Sequence, residues 1–304
     1  MKLIESKAEY IPQEEGLEGI YKMIELAGRT AYHSLDKITP DSAKDFVNRM
    51  IKSKHGAALE HGTVYLNMPY DPIYRKDPYS KALYNGYDMF VTTNYRVLQE
   101  NEWLDDLKYL CEPTDQHEKR YTMRFTCSRA IANELVRHRT MSFLQESTRY
   151  INYSKERHGG EITYIIPSWF RTLNVEGEYK GEIRDGSNRV VIGDKTIQLS
   201  KEDFQEHYFW NRLWEIENAY FMLLKSYEPL WSPQQARDVL PNATKTELIM
   251  TGFASDWRHV MDLRLFGKTG APHPDMVALM QKAQKAMQEA SIWDDIMKYP
   301  SKFD

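Results

Sequence analysis

Apolar residues recur along most of the chain with the periods of regular secondary structure, and the helical period is the more frequent one. Four segments repeat apolar side chains at helical spacing and are predicted to be amphipathic helices: residues 16–34, 42–59, 202–230 and 274–299. The segment after the second of these alternates with period two, because Val64 and Leu66 are interleaved with Tyr65 and Asn67. This alternation predicts a half-buried strand over residues 61–68.

Two strand–helix units and two less regular stretches complete the pattern. Residues 91–113 and 119–139 each predict a strand followed by a helix. Residues 69–90 are rich in Pro, Tyr and Asp, which predicts an irregular insertion on the surface. A second insertion is predicted over residues 174–200, a region rich in glycine and charge.

The second insertion contains the pattern of a hairpin, RVVIGDKTIQLS, with its turn at Gly193 and Asp194. The chain has no internal repeat, low-complexity tract or clear linker. These features predict a single α+β domain over residues 1–304, mainly helical around a small sheet, with the two insertions on its surface.

Composition narrows the classes of function. Hydrophobic residues make up 41% of the chain and charged residues 28%, as in an ordinary globular protein, and the formal net charge is −4. An acidic chain does not suit broad binding to nucleic acid, so any anion site must be local. The first residues lack the apolar core of a signal peptide, and no apolar run approaches the roughly 20 residues that cross a bilayer. We therefore expect a cytoplasmic protein without nucleic-acid or membrane partners.

Residues 137–149, RHRTMSFLQESTR, concentrate positive charge and hydroxyl groups in this acidic chain. A solvated helix end is the plain alternative, because basic residues cluster near helix C-termini. Against it, the cations are arginines, whose planar fork suits phosphate or a planar ring better than lysine does. Ser142 and Ser147 are interleaved among them, and Phe143 offers a stacking surface. This combination favours a nucleotide site.

A second candidate is Arg264, in the segment DWRHVMDLRLF. If residues 256–266 are helical, Arg264 lies within an apolar arc that includes Trp257, Met261 and Leu265. A cation on an apolar face needs a partner, and the plain alternative is a buried salt bridge with a carboxylate. The pattern by itself does not choose between that pair and a ligand.

The remaining candidates carry weaker signals. His55 and His61 lie on either side of Glu60, but their spacing matches no standard zinc pattern and lacks the HExxH geometry, so no metal site is predicted. Cys127 lies in the apolar stretch RFTCSRA and is expected to be a packed core residue. Cys111 and Cys127 are the only two cysteines, so a disulfide framework is also excluded.

The segment RHRTMSFLQESTR resembles the signature of the flavin-dependent thymidylate synthases (the ThyX family), which is Arg-His-Arg, two residues, Ser, four residues, Ser, one residue, Arg. Four more segments resemble that family in the same order along the chain: HGAALEH, VTTNYRVLQE, QARDVLP and WRHVMDLR. The resemblance covers most of the chain apart from the two predicted insertions.

The resemblance implies an α+β fold and the reductive methylation of dUMP to dTMP. FAD would carry the hydride, methylenetetrahydrofolate would donate the one-carbon unit and NADPH would be the reductant. It also implies a homotetramer whose active sites are shared between subunits.

The resemblance further implies roles for individual residues. Those expected to contact FAD are Ala57, Arg137, His138, Arg139, Gln145 and His259. Those expected to contact dUMP are Glu134, Arg137, Gln145, Glu146, Ser147, Thr148, Arg149, Arg237 and Arg264. Within the second set, Ser147 and Arg149 would bind the phosphate, and Arg237 would come from another subunit. Arg264 would lie against the uracil ring as the catalytic residue, where a fixed cation favours the electron-rich form of the ring.

The chain departs from the family pattern at several predicted flavin contacts. Ala57 stands where the family usually has Ser or Thr, and Ala58 replaces the following Pro. Phe253 and Ser255 occupy positions where many members carry Asn and Arg. Two other readings therefore stay open at this point. One is a flavoprotein that acts on another pyrimidine or transfers hydride without methylation, and the other is a non-catalytic nucleotide- or RNA-binding module.

Overall fold

The computed structural model describes residues 1–149, 151–155, 160–170, 177–178, 189–192, 195–198, 204–226 and 228–303. The strands are β1 (Lys2–Ile4), β2 (Lys7–Ile11), β3 (Thr63–Met68), β4 (Lys81–Tyr84), β5 (Met89–Asn94), β6 (Arg120–Ser128), β7 (Ser142–Gln145), β8 (Thr163–Ile165), β9 (Gly177–Glu178), β10 (Arg189–Ile192), β11 (Lys195–Gln198) and β12 (Lys245–Phe253). The helices are α1 (Gly16–Ala31), α2 (Ser42–Lys52), α3 (Gly56–Leu59), α4 (Ile73–Lys76), α5 (Tyr95–Glu100), α6 (Arg129–Leu135), α7 (Phe204–Lys225), α8 (Pro233–Ala236), α9 (Ala254–Arg264), α10 (Pro274–Glu289) and α11 (Trp293–Met297).

The central sheet is antiparallel and has the strand order β2-β6-β12-β7. β6 and β12 pair along nine residues each, from Arg120 opposite Phe253 to Ser128 opposite Lys245. Helices α6, α9, α10 and α11 contribute to one apolar core with this sheet, in which Phe125 and Trp257 are almost fully buried. Burial of such large side chains is the main favourable contribution to the stability of this layer.

Two smaller sheets have cores of their own. β3, β5 and β4 form an antiparallel sheet, and its β3 and β5 side chains pack with α1 and α2 around Ile24, Phe46 and Val64. β1 pairs in parallel with β8 and antiparallel with β9. The core beside this third sheet includes Trp210 and Tyr220 of the long helix α7.

Most of the predicted helices are confirmed, with breaks at residues in left-handed conformations. The helix predicted over 42–59 ends at Lys52, and Lys54 has a φ of 58° before α3 begins. The helix predicted over 274–299 is likewise divided into α10 and α11 at Ser291, whose φ is also 58°. A positive φ interrupts the helical hydrogen-bond ladder, which apolar periodicity alone does not reveal.

The strand content was predicted less well. Helical residues dominate as expected, but the single small sheet is wrong, because the described residues form four sheets. The irregular surface conformation predicted for residues 69–90 holds for much of this stretch, but it missed the short α4 and β4 and the full burial of Tyr74. β4 is stabilised by pairing with β5, although Lys81 and Ala82 have low strand propensity.

The predicted hairpin is confirmed in β10 and β11, which pair from Arg189 opposite Gln198 to Ile192 opposite Lys195. Its turn residues, Gly193 and Asp194, lie outside the described residues, as does most of the stretch 174–200. That the two stretches are insertions, and that the chain is one domain, stay predictions. None of the described helices combines the length and apolarity needed to cross a membrane.

Candidate active site

A cavity of about 440 Å³ opens at one end of the central sheet. Antiparallel pairing brings the start of β6, the start of β7 and the end of β12 to this end, so that Arg120, Ser142 and Phe253 all line the cavity. Asn94, at the junction of β5 and α5, lines it too, and its side chain caps α5 by accepting a hydrogen bond from the Val97 amide. The cavity has the volume of a small-molecule binding site.

Arg96 forms a charged wall of this cavity. Its Nη1 atom lies 2.6 Å from Glu60 Oε1 and its Nε atom lies 2.8 Å from Glu100 Oε1. Gly56 of α3 approaches this cluster so closely that a Cβ atom there would be 2.8 Å from Arg96 Nε. The segments HGAALEH and VTTNYRVLQE, distant in the sequence, therefore meet at Arg96.

Two buried polar side chains beside the sheet, His61 and Arg120, were given no role in the site by the sequence analysis. His61 is fully buried, and its Nδ1 atom lies 2.8 Å from Thr251 Oγ1 on β12. Burial and the nearby Arg120 cation lower the pKa of His61 to about 3, so its ring is neutral near neutral pH. Neither His61 Nε2 nor Arg120 Nε has a hydrogen-bond partner among the described residues. Unpaired buried polar atoms are uncommon in folded proteins and call for an explanation.

The Arg-His-Arg motif lies in the turn between α6 and β7 and presents its three residues differently. Arg137 and Arg139 are exposed, whereas His138 is buried. Burial, Arg264 and His259 lower the pKa of His138 to about 4. His138 is therefore a neutral hydrogen-bond acceptor near neutral pH.

Arg264, the last residue of α9, joins this turn to α6. Its Nε donates to His138 Nε2 at 3.1 Å, its Nη1 to Glu134 Oε2 at 2.9 Å and its Nη2 to the Glu134 carbonyl oxygen at 3.2 Å. The hydrogen bond from Arg264 assigns the proton of neutral His138 to Nδ1. Sequence reasoning left open whether Arg264 pairs with a carboxylate or with a ligand, and in the described chain it pairs with Glu134.

That pair is not the buried salt bridge of the plain alternative. The Arg264 side chain is 20% exposed and that of Glu134 is 26% exposed, so both remain accessible to a ligand. Two of the five N–H groups of Arg264 have no partner among the described residues. Trp257, Val260 and Met261 of the predicted apolar arc are buried, while Leu265 is half-buried.

His259 lies one turn before Arg264 on α9. Its ring is 6.0 Å from that of His138, measured between centroids, and is stacked on Phe303 at 5.6 Å. Burial lowers its pKa, and its Nδ1 atom has no partner among the described residues. The two histidines and Arg264 thus form one cluster at the C-terminal end of α6.

The stretch Gln145–Arg149 extends from the last residue of β7 into a loop, and its carboxylate is already paired. Glu146 is buried, and its Oε2 atom accepts hydrogen bonds from Lys245 Nζ and the Glu247 amide, both at 3.1 Å. Gln145 Nε2 donates to Thr246 Oγ1 at 3.3 Å. This carboxylate therefore holds the loop against β12, and the dUMP contact expected of Glu146 stays a prediction.

The other residues of this loop lie near a second arginine. Arg237 Nη1 donates to Thr148 Oγ1 at 3.4 Å within one chain, so another subunit is not required to bring them together. The Ser147 amide donates to the Ala31 carbonyl at 3.0 Å, and Arg149 is exposed. Arg149, Arg237 and Ser147 thus lie at this loop, while the Thr148 side chain is buried beneath it.

The loop and the cavity are separate parts of the site. Ser142 and Gln145 are the two ends of β7, which places them about 10 Å apart along the strand. Ala57, a predicted flavin contact, is an exposed residue of α3 next to Gly56. None of the predicted site residues lines the cavity. Apart from Ala57, they fall into two groups, around Arg264 and around Thr148.

The described residues show neither an activated cysteine nor a group of metal ligands at this site. Burial raises the pKa of Cys127 to about 12, and burial also raises the pKa of Cys111, so neither thiol is activated as a nucleophile. Within the part of the chain that the structure describes, no three His, Cys, Asp or Glu side chains are grouped as metal ligands would be.

Comparison with known proteins shows which family the chain matches. The family model described as thymidylate synthase complementing protein matches residues 115–291, which include the Arg-His-Arg motif and Arg264. A relative from Corynebacterium aurimucosum, named flavin-dependent thymidylate synthase, is 24% identical over 97% of this chain and 90% of its own length. A relative of the same name from Pyrococcus furiosus is 28% identical over 56% of this chain and 53% of its own length.

A solved structure was also compared. A UMP/dUMP methylase from Streptomyces cacaoi, bound with 5-Br dUMP, aligns over 98% of both chains at 18% identity, with a TM-score of 0.43.

Proposed function

The chain belongs to the thymidylate synthase complementing protein family, and from this premise we propose that it is a flavin-dependent thymidylate synthase that methylates dUMP to dTMP. FAD is the proposed hydride carrier, methylenetetrahydrofolate the one-carbon donor and NADPH the reductant. The observation that carries the proposal is the contact of Arg264 with Glu134 and His138, because it joins two distant segments that both lie within the family match.

Arg264 is proposed to act on the uracil ring. Its three hydrogen bonds to Glu134 and His138 fix the plane of the guanidinium group, and two N–H groups remain for a ligand within the described chain. A fixed cation stabilises negative charge that develops on the ring during attack on the methylene group. Since His138 is neutral and accepts from Arg264, it orients this cation without repelling it through a second charge.

The loop at the end of β7 is proposed to bind the phosphate of dUMP. Arg149 and Arg237 supply positive charge there, Ser147 supplies a hydroxyl donor, and the buried Thr148 hydroxyl accepts a hydrogen bond from Arg237. Glu146 pairs with Lys245, which also pairs with Glu247, so the Glu146 carboxylate opposes a phosphate less than an unpaired carboxylate would. These features support an anion site in a chain whose net charge is negative.

The cavity fits the ring system of a flavin. Its volume of about 440 Å³ suits a planar ring, Phe253 provides an aromatic wall, and the unpartnered polar atoms of Arg120 and His61 lie at or beside it. Arg137 and Arg139 are exposed in the turn after α6 and are proposed to bind the more polar part of FAD. When bound there, the flavin supplies hydride transfer, which the side chains of the protein do not provide.

The wider context stays a prediction. We propose a homotetramer with shared active sites and a cytoplasmic location, as the family resemblance and the composition led us to expect. The short distance between Arg237 and Thr148 supports a phosphate site within one chain and leaves sharing between subunits to the flavin and folate sites.

One experiment tests the function. Purified protein is incubated with FAD, and its visible spectrum is recorded before and after anaerobic addition of NADPH. dUMP and methylenetetrahydrofolate are then added, and dTMP is measured by chromatography. We expect bound, reducible flavin and dTMP in amounts that follow flavin reoxidation. Reoxidation without dTMP would support a different flavoprotein activity, and failure to bind FAD would refute both enzyme readings.

A further inference from the structure

Arg120 is a buried cation to which neither the motifs nor the family resemblance assigned a role. It is the first residue of β6 and is 9% exposed. Its Nη1 atom donates to the Glu60 carbonyl at 3.1 Å and to Thr63 Oγ1 at 3.4 Å, and its Nη2 atom donates to Ser142 Oγ at 3.3 Å. All of these acceptors are neutral, and Nε has no partner among the described residues.

This guanidinium group carries charge that its contacts do not neutralise. Burial lowers the pKa of Arg120 to about 10, which leaves it protonated near neutral pH. Two carboxylates, those of Glu60 and Asp256, act on this charge from nearby, but neither accepts a hydrogen bond from Arg120. Glu60 is engaged by Arg96 at 2.6 Å, and Asp256 accepts a hydrogen bond from Thr140. Buried charges in proteins are normally paired, so a ligand with negative charge is the partner that the described chain lacks.

Phe253 makes the same region of the cavity both aromatic and positive. The guanidinium carbon of Arg120 lies 5.5 Å from the centroid of the Phe253 ring, and Lys81 Nζ lies 4.6 Å from it. Lys81 is itself held by Glu118 at 2.7 Å, so its charge is balanced while that of Arg120 is not. The ring and the guanidinium group together suit a flat, electron-rich ligand.

The overall charge of the cavity favours an uncharged ring over a phosphate group as the ligand. Its lining contains the carboxylates of Glu60, Asp77 and Glu100 against the guanidinium groups of Arg96 and Arg120, which leaves a formal excess of one negative charge. A phosphate would be repelled by that excess. A neutral ring is not subject to that repulsion when it binds, and negative charge that develops on it later is stabilised where it lies next to Arg120.

A second cavity beside Arg120 offers no alternative anion site. This cavity has a volume of about 270 Å³, and its lining includes Arg120 and Lys119. Four carboxylate residues also line it: Glu14, Glu15, Glu112 and Asp295. The smaller cavity therefore has a formal excess of two negative charges, against one in the larger cavity, and only the larger cavity is lined by Phe253. The larger cavity is thus the better site for a ligand of Arg120.

We propose that Arg120 binds the isoalloxazine ring of the flavin in the 440 Å³ cavity and raises its reduction potential. The inference rests on the proposed function. Addition of a hydride to a neutral ring leaves one negative charge on the product, and a buried cation stabilises that charge more than a solvated cation does. Arg120 therefore binds the reduced cofactor more tightly than the oxidised one, which favours acceptance of hydride from the reductant.

The test compares the full-length FAD-loaded protein with two neutral variants, Arg120→Gln and Arg120→Met, and with Arg120→Lys. Gln keeps hydrogen-bond donors for Ser142 and the Glu60 carbonyl, whereas Met removes them. Both variants remove the charge, so the test needs only one of them to fold. The dissociation constants of oxidised and reduced FAD and the two-electron midpoint potential are measured. We expect reduced FAD to lose about tenfold more affinity than oxidised FAD, which lowers the potential by about 30 mV. Lys should restore at least half of this shift.

Arg124→Gln is the matched control, because Arg124 lies four residues further along β6 and pairs with Glu9 at the surface, away from the cavity. The Arg124 variant should change neither the two dissociation constants nor the midpoint potential. Equal loss of affinity for both redox forms in the Arg120 variants would overturn the inference, since it would indicate only a structural role. An unchanged potential would overturn it too. If the unmodified protein fails to bind FAD, the proposed function fails first, so the two failures are distinguishable.

Discussion

Replacement of His138 by Gln should make the protein less sensitive to acid. His138 is 7% exposed, and burial together with the Arg264 and His259 charges lowers its pKa from the ordinary value of 6.5 to about 4. The unfolded chain therefore binds a proton at a higher pH than the folded chain does. Between pH 6.5 and 4 the free energy of unfolding falls as the pH falls, and it does so because of this histidine.

The size of the effect follows from the two pKa values. Linkage gives a loss of about 2 kcal/mol in the free energy of unfolding between about pH 7 and about pH 5 from His138 alone. Gln keeps an acceptor for the Arg264 N–H but does not titrate. The His138→Gln variant should therefore lose about 2 kcal/mol less than the unmodified protein over this interval, although other buried histidines still contribute to both.

Urea unfolding at the two pH values measures this difference, with free energies obtained by linear extrapolation. His55→Gln is the matched control, because the His55 side chain is exposed and lies outside the cluster of His138, His259 and Arg264. If the His138 variant and the unmodified protein lose the same free energy, then His138 is not held neutral by Arg264 and burial, and its assignment as an acceptor is wrong.

Three further predictions concern the site and the core. Arg264→Ala should lower turnover by about 10²-fold, because the cation at the uracil ring is lost, while FAD binding changes little. The unfolding free energy should fall by less than about 1 kcal/mol, since the pair with Glu134 is partly exposed. Ser147→Ala should weaken dUMP binding about tenfold by calorimetry but leave measurable dTMP formation. Trp257→Ala should lower the free energy of unfolding by about 3–5 kcal/mol in urea, because its ring is fully buried and its Nε1 donates to the Tyr121 carbonyl.

Each of these has an outcome that contradicts it. Equal losses of FAD binding and turnover in the Arg264 variant would argue against a role at the uracil ring. Complete inactivity of the Ser147 variant with dUMP still bound would indicate a chemical role for the hydroxyl group. A Trp257 variant with unchanged stability would contradict the position of that ring in the core between the central sheet and α9.

The local parts of the site could be predicted from the sequence, because they depend on neighbours along the chain. The spacing of RHRTMSFLQESTR led to a family resemblance that the match over residues 115–291 confirms. The burial of Cys127 followed from its apolar surroundings and is confirmed as well. Periodicity placed Arg264 beside an apolar arc on α9, although it could not choose its partner.

The contacts that close the site depend instead on residues far apart in the sequence. Glu134 and Arg264 are separated by 130 positions, and their contact arises only because α6 and α9 pack on the same core with the central sheet. Glu146 shows the same dependence, since pairing of β7 with β12 brings Lys245 and Glu247 to its carboxylate. A motif that specifies residue types cannot say which of them are already occupied by the fold.

The sequence by itself determined the family, the mixed helical and strand content, and the motif that concentrates cations in an acidic chain. The tertiary structure alone decided that Arg120 lies opposite Phe253 at the edge of a cavity, and that no carboxylate among the described residues accepts a hydrogen bond from it. The physical reason is that helical period and motif spacing are local properties. Burial and charge compensation are properties of the packed chain, which strand register and helix packing create only after distant segments have met.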